Sequence, residues 1–210
     1  MPLGLKKKDG SYQFNLVVNG EVITAVLLNM GGMHNVENAI AAITVAHQLD
    51  IDQQKIKNAV ASFRGVKRRF EYIIRNASEI FIDDYAHHPE ELKALIGSAK
   101  ALFPAMRCTV IFQPHLYSRT KDLAEGFAES LDMADEVILL PIYPARELPV
   151  EGVTSEMILN KMKNSNKKVM TKELLLDWIK NERMELVITA GAGDIDALVA
   201  PIKEALEARY

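Results

Sequence analysis

The sequence predicts an α/β protein whose larger part is a mainly parallel sheet with helices on both faces. From Phe70 onward, short apolar runs alternate with amphipathic stretches of helical period, the pattern of successive strand and helix units. The first 65 residues differ, reading as one hairpin followed by two helices, which is too little to close a stable domain. Length and composition agree with this division, since 210 residues, 49% hydrophobic and 25% charged, have room for one large or two small globular domains. Residues 1–65 are therefore expected to be the end of a larger domain, and residues 66–210 a domain of their own.

Taken in order, 12–18 and 22–28 are β-prone runs joined by Asn19-Gly20, a pair that tolerates the positive φ of a tight hairpin turn. After Gly31-Gly32, residues 36–49 place Val36, Ala39, Ile40, Ile43, Ala46 and His47 on one helical stripe. Asp52 stands where it would cap a second helix reaching about Phe63, with Ile56, Ala59, Val60 and Phe63 facing inward and Gly65 ending it. Strands are then expected at 70–75, 79–84, 107–113, 135–141, 167–170 and 185–190, and helices near 89–103, 120–133, 154–164, 171–181 and 194–208. Pro89 suits a first helical turn, Glu90 and Glu91 complement its positive end, and Leu92, Leu95, Ile96, Ala99 and Leu102 form its apolar stripe. Ser118 or Thr120 would cap the helix that follows. Residues 161–168 read as a solvated connection.

Charge and cysteine content narrow the function classes. The net charge of -3, with acids and bases interleaved, provides neither a basic stripe for nucleic acid nor a polybasic patch for a membrane surface. No apolar run approaches the roughly 20 residues of a membrane span, and the N-terminus lacks a charged-then-apolar signal segment. A cytoplasmic location is expected. Cys108, the only cysteine, lies in an apolar run and reads as a buried, inert thiol.

The residues suited to chemistry collect where the expected parallel strands end, the edge at which loops converge and helix N-termini offer free N–H groups. One strand runs into Asp83-Asp84-Tyr85-Ala86-His87-His88-Pro89, another into Gln113-Pro114-His115-Leu116-Tyr117-Ser118-Arg119-Thr120. Two more deliver Tyr143-Pro144-Ala145-Arg146-Glu147 and Ala190-Gly191-Ala192-Gly193-Asp194. This mixture of carboxylates, imidazoles, guanidinium groups and glycines suits a polyanionic nucleotide and a small zwitterion. Plainer readings stand beside it: adjacent His87 and His88 rarely point the same way and have no third ligand at metal spacing. Gly191 and Gly193 can serve only a tight turn, and Arg119 and Arg146 can be solvated. Lys67-Arg68-Arg69 is either a solvated hinge or a phosphate contact, since guanidinium groups match phosphate oxygens in bidentate fashion. His34, Asn35 and Asn38 open the first helix, where they would cap it or present donors and acceptors to the edge of a base.

Together these motifs resemble the Mur ligases. Gly32-Met33-His34-Asn35-Val36-Glu37-Asn38-Ala39, Gly65-Val66-Lys67-Arg68-Arg69-Phe70-Glu71, the 83–89 segment and the 112–120 segment carry the resemblance. Ile142-Tyr143-Pro144-Ala145-Arg146-Glu147 with Gly152-Val153-Thr154-Ser155 resembles the members that add L-alanine to UDP-N-acetylmuramate. What the resemblance implies is an ATP-dependent ligase of peptidoglycan precursor synthesis with three domains: one for the UDP-sugar, a central ATPase, and a C-terminal Rossmann-like domain that brings the amino acid. This sequence matches the end of the second and all of the third. ATP would phosphorylate the muramyl carboxylate, and the amine of L-alanine would attack the acyl phosphate through a tetrahedral intermediate. By motif position, Asn35 and Asn38, with His34, would meet adenine, Arg69 the phosphates and Asp84 the ribose. His88, His115 and Arg119 would serve catalysis and bind L-alanine, with Tyr85 beside them.

Mg2+ is expected with ATP, its ligands lying mainly in the part of the central domain that these residues do not match, and no metal site is expected here. No Gly-Lys pair occurs, so the phosphate loop typical of the family is absent and these 210 residues alone are expected to have no ligase activity. In one departure, Leu116 stands where family members often carry a second arginine, which leaves the carboxylate to Arg119 alone or with help from Arg146. The related ligase that attaches a recycled tripeptide to the same UDP-sugar is the nearest alternative, and Tyr85 and the 142–155 segment weigh against it. A noncatalytic nucleotide-binding module of the same fold is the other.

Overall fold

The computed structural model describes residues 2–208. They form two compact units, one running to Val66 and taking in Ser98–Pro104, the other comprising Lys67–Gly97 and everything from Ala105 onward.

In the first unit, strands β1 (Leu3–Lys8), β2 (Ser11–Val18) and β3 (Glu21–Leu28) form an antiparallel meander followed by helices α1 (Met33–Gln48) and α2 (Gln53–Ser62). The β2–β3 pair is the expected hairpin, with Asn19 and Gly20 at φ of 50° and 85°. β1 is an addition: its lysine-rich sequence has no apolar alternation, yet Asp9-Gly10, at φ of 48° and 74°, is a turn of the same kind. A third strand gives the hairpin the support it would otherwise lack, and lysines on an edge strand discourage further pairing. β2 buries Tyr12, Phe14, Leu16 and Val18 in alternation, whereas β3 buries Ile23, Val26 and Leu28 at a broken spacing. A bulge accounts for the break, with Ala25 at φ of 53° and its N–H donating to Asn15 Oδ1 at 2.9 Å.

α1 starts three residues before 36, directly after Gly32 at φ of 85°. Its expected stripe is buried or half-buried throughout. Asp52 caps α2 by accepting from Lys55 N–H at 3.0 Å. That helix stops at Ser62 rather than at Gly65, and Phe63 and Ala59, expected to face inward, are exposed. Its apolar inward row is Ile56 and Val60, one i, i+4 step apart, buried and half-buried respectively.

The second unit is a six-stranded sheet of β4 (Glu71–Arg75), β5 (Ile80–Asp84), β6 (Cys108–Phe112), β7 (Glu136–Leu139), β8 (Lys167–Val169) and β9 (Leu186–Ala190). Spatial order is β4-β5-β9-β6-β7-β8, antiparallel only at β4–β5. The last strand thus lies between β5 and β6, and every residue of these three is buried, Cys108 included. Successive strand residues point to opposite faces, and the packing shows what covers each. Phe81, Ile111, Ile138 and Val187 meet Leu175 and Ile179 of α6 (Lys172–Asn181) and Ile202 and Leu206 of α7 (Val199–Glu207). On the other face, the Phe112 ring lies 5.3 Å from that of Phe127 in α4 (Tyr117–Leu131). Helix α3 (Pro89–Leu102) joins α4 there, where Ser130 Oγ donates to Pro89 O at 2.9 Å. Helices cover both faces, as the sequence predicts.

Some helix boundaries differ from expectation. α4 begins at Tyr117, so Ser118 and Thr120 lie inside it and neither caps it: Ser118 Oγ donates to Glu147, and Thr120 Oγ1 to Leu116 O. α5 (Ser155–Leu159) is half the expected length, because Asp132 accepts from the N–H groups of Lys163 and Asn164 and ties that stretch to the end of α4. The expected 194–208 helix opens as a 3-10 segment, Asp194–Leu198. Pro201 then falls in the first turn of α7, where a missing N–H costs nothing. Among the described residues no helix is long and apolar enough to cross a membrane.

Candidate functional site

Parallel strands end along one edge, and here Asp84, Ala190, Phe112 and Leu139 form a single row across β5, β9, β6 and β7. The segments singled out in the sequence leave from this row side by side. Two groups of side chains stand on it.

The first group is knitted into the fold. Asp83 is 1% exposed and accepts from Thr189 Oγ1 at 2.7 Å and from Arg68 Nε at 3.2 Å. Burial, working against those bonds and the Arg68 charge, raises its pKa above the ordinary carboxylate value. Arg68 Nη2 also donates to Gly191 O at 2.5 Å, and its guanidinium lies 5.1 Å from the centre of the Tyr85 ring. Asp84 is buried as well, its two oxygens accepting from Phe70 N–H at 2.7 Å and Ala86 N–H at 2.8 Å. It fixes the chain on both sides of the strand end.

The second group surrounds His115. This residue bridges Tyr143, Leu116 N–H donates to Tyr143 O at 2.9 Å, and the two rings stack at 5.7 Å and 17°. The His87 ring stands 6.5 Å from that of His115, and the Tyr85 ring 5.1 Å from that of His87. Glu147 holds the start of α4 from a neighbouring loop, accepting from Ser118 N–H at 3.0 Å and Ser118 Oγ at 2.5 Å, and these bonds lower its pKa. Leu116 adopts φ of 70°, which turns the chain from the rim into the helix. Burial lowers the pKa of His115 from 6.5, and the positive charge of Arg119 and the nearby His87 add to the effect against a smaller pull from Glu147.

Three buried side-chain atoms among the described residues have no hydrogen-bond partner: Gln113 Oε1, His115 Nδ1 and Arg119 Nη1. All three belong to this second group. Buried polar atoms are ordinarily paired, so such a cluster is a place for a ligand or ordered water to complete. It offers a cationic donor, an imidazole held neutral near pH 7 and an amide acceptor, the chemistry of a small zwitterion's pocket.

The residues expected from sequence are distributed as follows. His115 and Arg119 share the unsatisfied cluster. The His88 ring is exposed, and the imidazole that approaches His115 is that of His87. Tyr85 is part-exposed between Arg68, His87 and the exposed Arg69, whose guanidinium lies 5.8 Å from the Tyr85 ring centre. Arg146 is exposed. In the first unit, His34 and Asn38 are exposed on the first turns of α1, and Asn35 donates from Nδ2 to Gly31 O at 2.8 Å. Gln113 and Tyr143 appear in the sequence motifs without a role, and strand parity alone could not choose between His87 and His88. No three His, Cys, Asp or Glu side chains are grouped to hold a metal among the described residues.

Residues 68–195 match the family described as Mur ligase, glutamate ligase domain. Two similar proteins are UDP-N-acetylmuramate–L-alanine ligases, from Cytophaga hutchinsonii (47% identical over 203 residues, 97% of this chain and 44% of that protein) and Flavobacterium johnsoniae (45% over 199 residues, 95% and 44%). Among solved structures, the UDP-N-acetylmuramate-alanine ligase of Thermotoga maritima superposes with a TM-score of 0.80 at 28% identity, covering 100% of this chain and 46% of that one. The chain therefore spans less than half the length of the curated relatives it matches.

Proposed function

Because this chain belongs to the Mur ligase family, we propose that it supplies the amino-acid end of an ATP-dependent ligase joining L-alanine to UDP-N-acetylmuramate in peptidoglycan precursor synthesis. The observation that carries this reading is the cluster of His115, Arg119 and Tyr143 at the strand ends, with polar atoms buried and unpartnered. The names of the relatives support the choice of L-alanine.

Arg119 holds the carboxylate of the amino acid, since a desolvated guanidinium donor has its strongest partner in a carboxylate. His115, kept neutral by burial and by the charge of Arg119, accepts the proton that the amine sheds as the amide bond forms. Tyr143 fixes the plane of that imidazole by stacking. His87 takes the flanking position that sequence order assigns to His88, whose exposed ring leaves it a contact at the mouth of the site. Tyr85 closes that side of the site beside His87. ATP supplies the phosphoryl group that activates the muramyl carboxylate. Within the first unit, Asn38 and His34 present open side chains to adenine, and Asn35 keeps its Oδ1 for the same purpose. In the second unit, Arg69 presents an exposed guanidinium to phosphate, and Asp84, at the end of β5, is assigned to the ribose by its place in the motif. Mg2+ would accompany ATP, and among the described residues no three His, Cys, Asp or Glu side chains are grouped to hold it by themselves.

The test is an assay of ADP release by a protein that carries this chain together with the preceding segment its relatives have, supplied with ATP and UDP-N-acetylmuramate. Turnover is expected with L-alanine. Turnover with a tripeptide and none with L-alanine overturns the substrate assignment, and silence with both amines overturns the ligase reading.

A further inference from the structure

Gln113 Oε1 is the unpartnered atom to which the mechanism above gives no work. Gln113 is 3% exposed, directly after β6, and its Nε2 donates to Asp194 Oδ1 at 2.8 Å. The other carboxylate oxygen of Asp194 is held by Lys172 Nζ at 2.6 Å. An ionised carboxylate only accepts, so the Asp194 contact decides which end of the amide is which: nitrogen toward Asp194, oxygen away from it. The oxygen then lies beside Gly193, where an added Cβ would fall 2.5 Å from it and 2.6 Å from Tyr143 Cβ. Tyr143 is the residue stacked on His115, so the bare acceptor stands on the wall of the amino-acid pocket. Position 193 is glycine for a spatial reason: any side chain there would push the amide and the tyrosine apart.

We propose that Gln113 Oε1 accepts a hydrogen bond from the amine of the incoming amino acid, with Asp194 and Lys172 as positioning residues that keep that oxygen turned toward it. The proposal rests on the L-alanine reading above. The three unpartnered atoms then divide a zwitterion between them, with the Arg119 donor on the carboxylate, the Gln113 acceptor on the amine, and His115 ready for the proton that leaves. Asp194 touches no substrate. Its effect passes through the orientation of one amide.

The test compares wild type with Gln113→Met and Asp194→Asn in the longer ligase, reading KM for L-alanine and for ATP, inhibition by propionate, and the unfolding midpoint. Propionate keeps the carboxylate and lacks the amine. Gln113→Met is expected to raise KM for L-alanine by about tenfold, the worth of one buried hydrogen bond, with KM for ATP and inhibition by propionate within about twofold of wild type. Asp194→Asn, an exposed substitution that should not disturb folding, lets the amide flip and is expected to raise the same KM by a smaller factor at an unchanged midpoint. The inference is overturned if KM for L-alanine moves less than about twofold in both variants, or if propionate inhibition weakens as much as L-alanine binding does. An inactive wild type overturns the functional reading instead, and so the two failures are distinguishable.

Discussion

Two neighbouring regions of the strand-end rim contain the same kinds of residue and are built on opposite plans. Around Asp83, a buried carboxylate accepts from a buried hydroxyl and from a half-buried guanidinium, and that guanidinium also donates to a backbone carbonyl. Around His115, an amide, an imidazole and a guanidinium each leave a buried atom unpaired. The contrast separates scaffold from site more sharply than residue type does. A charged cluster that satisfies itself has little left for a ligand, while one that does not carries a cost that a ligand removes.

Substitutions on the two sides should therefore fail in different ways. Asp83→Ala strips Arg68 and Thr189 of their shared acceptor and leaves a guanidinium, whose side chain is only 19% exposed, without its counter-charge. Breaking a buried pair from one side costs about 3–5 kcal/mol, to be read as a lower urea midpoint of the 210-residue chain. A loss under about 1 kcal/mol would move Asp83 out of the scaffold. Arg119→Ala should do the reverse. Stability changes by less than about 1 kcal/mol, since Arg119 Nη1 has no bond to lose. KM for L-alanine in the longer ligase rises by about 30-fold or more, as expected for loss of a charge-assisted contact of roughly 2 kcal/mol. Equal increases in KM for L-alanine and for ATP would take Arg119 away from the carboxylate.

How far this contrast could be seen in the sequence depends on what each level of structure requires. The alternation of strands and helices after Phe70 was legible because burial on both sheet faces demands apolar runs and helical stripes. Asp52 as a cap and Asn19-Gly20 as a turn are equally local. β1 was hidden because three lysines suppress the alternation that marks a strand, although its turn, Asp9-Gly10, was in view. The short α5 was illegible in kind: Asp132, some thirty residues earlier, sets where that chain must lie. At the site, residue types and order named the rim, and His115 and Arg119 with it. They could not tell that Asp84 accepts from backbone N–H groups on both sides of the strand end, that His87 rather than His88 approaches His115, or that Asp194 fixes the amide of Gln113. Those are facts of orientation, which arise only when distant loops meet.

Titration should separate the two regions once more, with a smaller effect and opposite signs. The folded pKa of His115 is lowered, so below pH 6.5 the unfolded chain binds the proton more readily than the folded one, and stability falls as pH drops through that range. Asp83 has a raised folded pKa, so its burial weighs against the fold as pH rises above 3.8. Urea midpoints of wild type and His115→Gln, measured at pH 8, 6.5 and 5, should therefore differ in slope: the wild type loses more stability toward pH 5, and the variant, which has no proton to take up at that position, loses less. The L-alanine-dependent rate of the longer ligase should fall on the acid side of 6.5 in wild type and should not gain from this group between pH 7 and 8, where the imidazole is already neutral. Parallel midpoint curves for the two proteins would mean that His115 is as well solvated as any surface histidine. The proposed mechanism would then lose its neutral base, while the scaffold around Asp83 would stand unchanged.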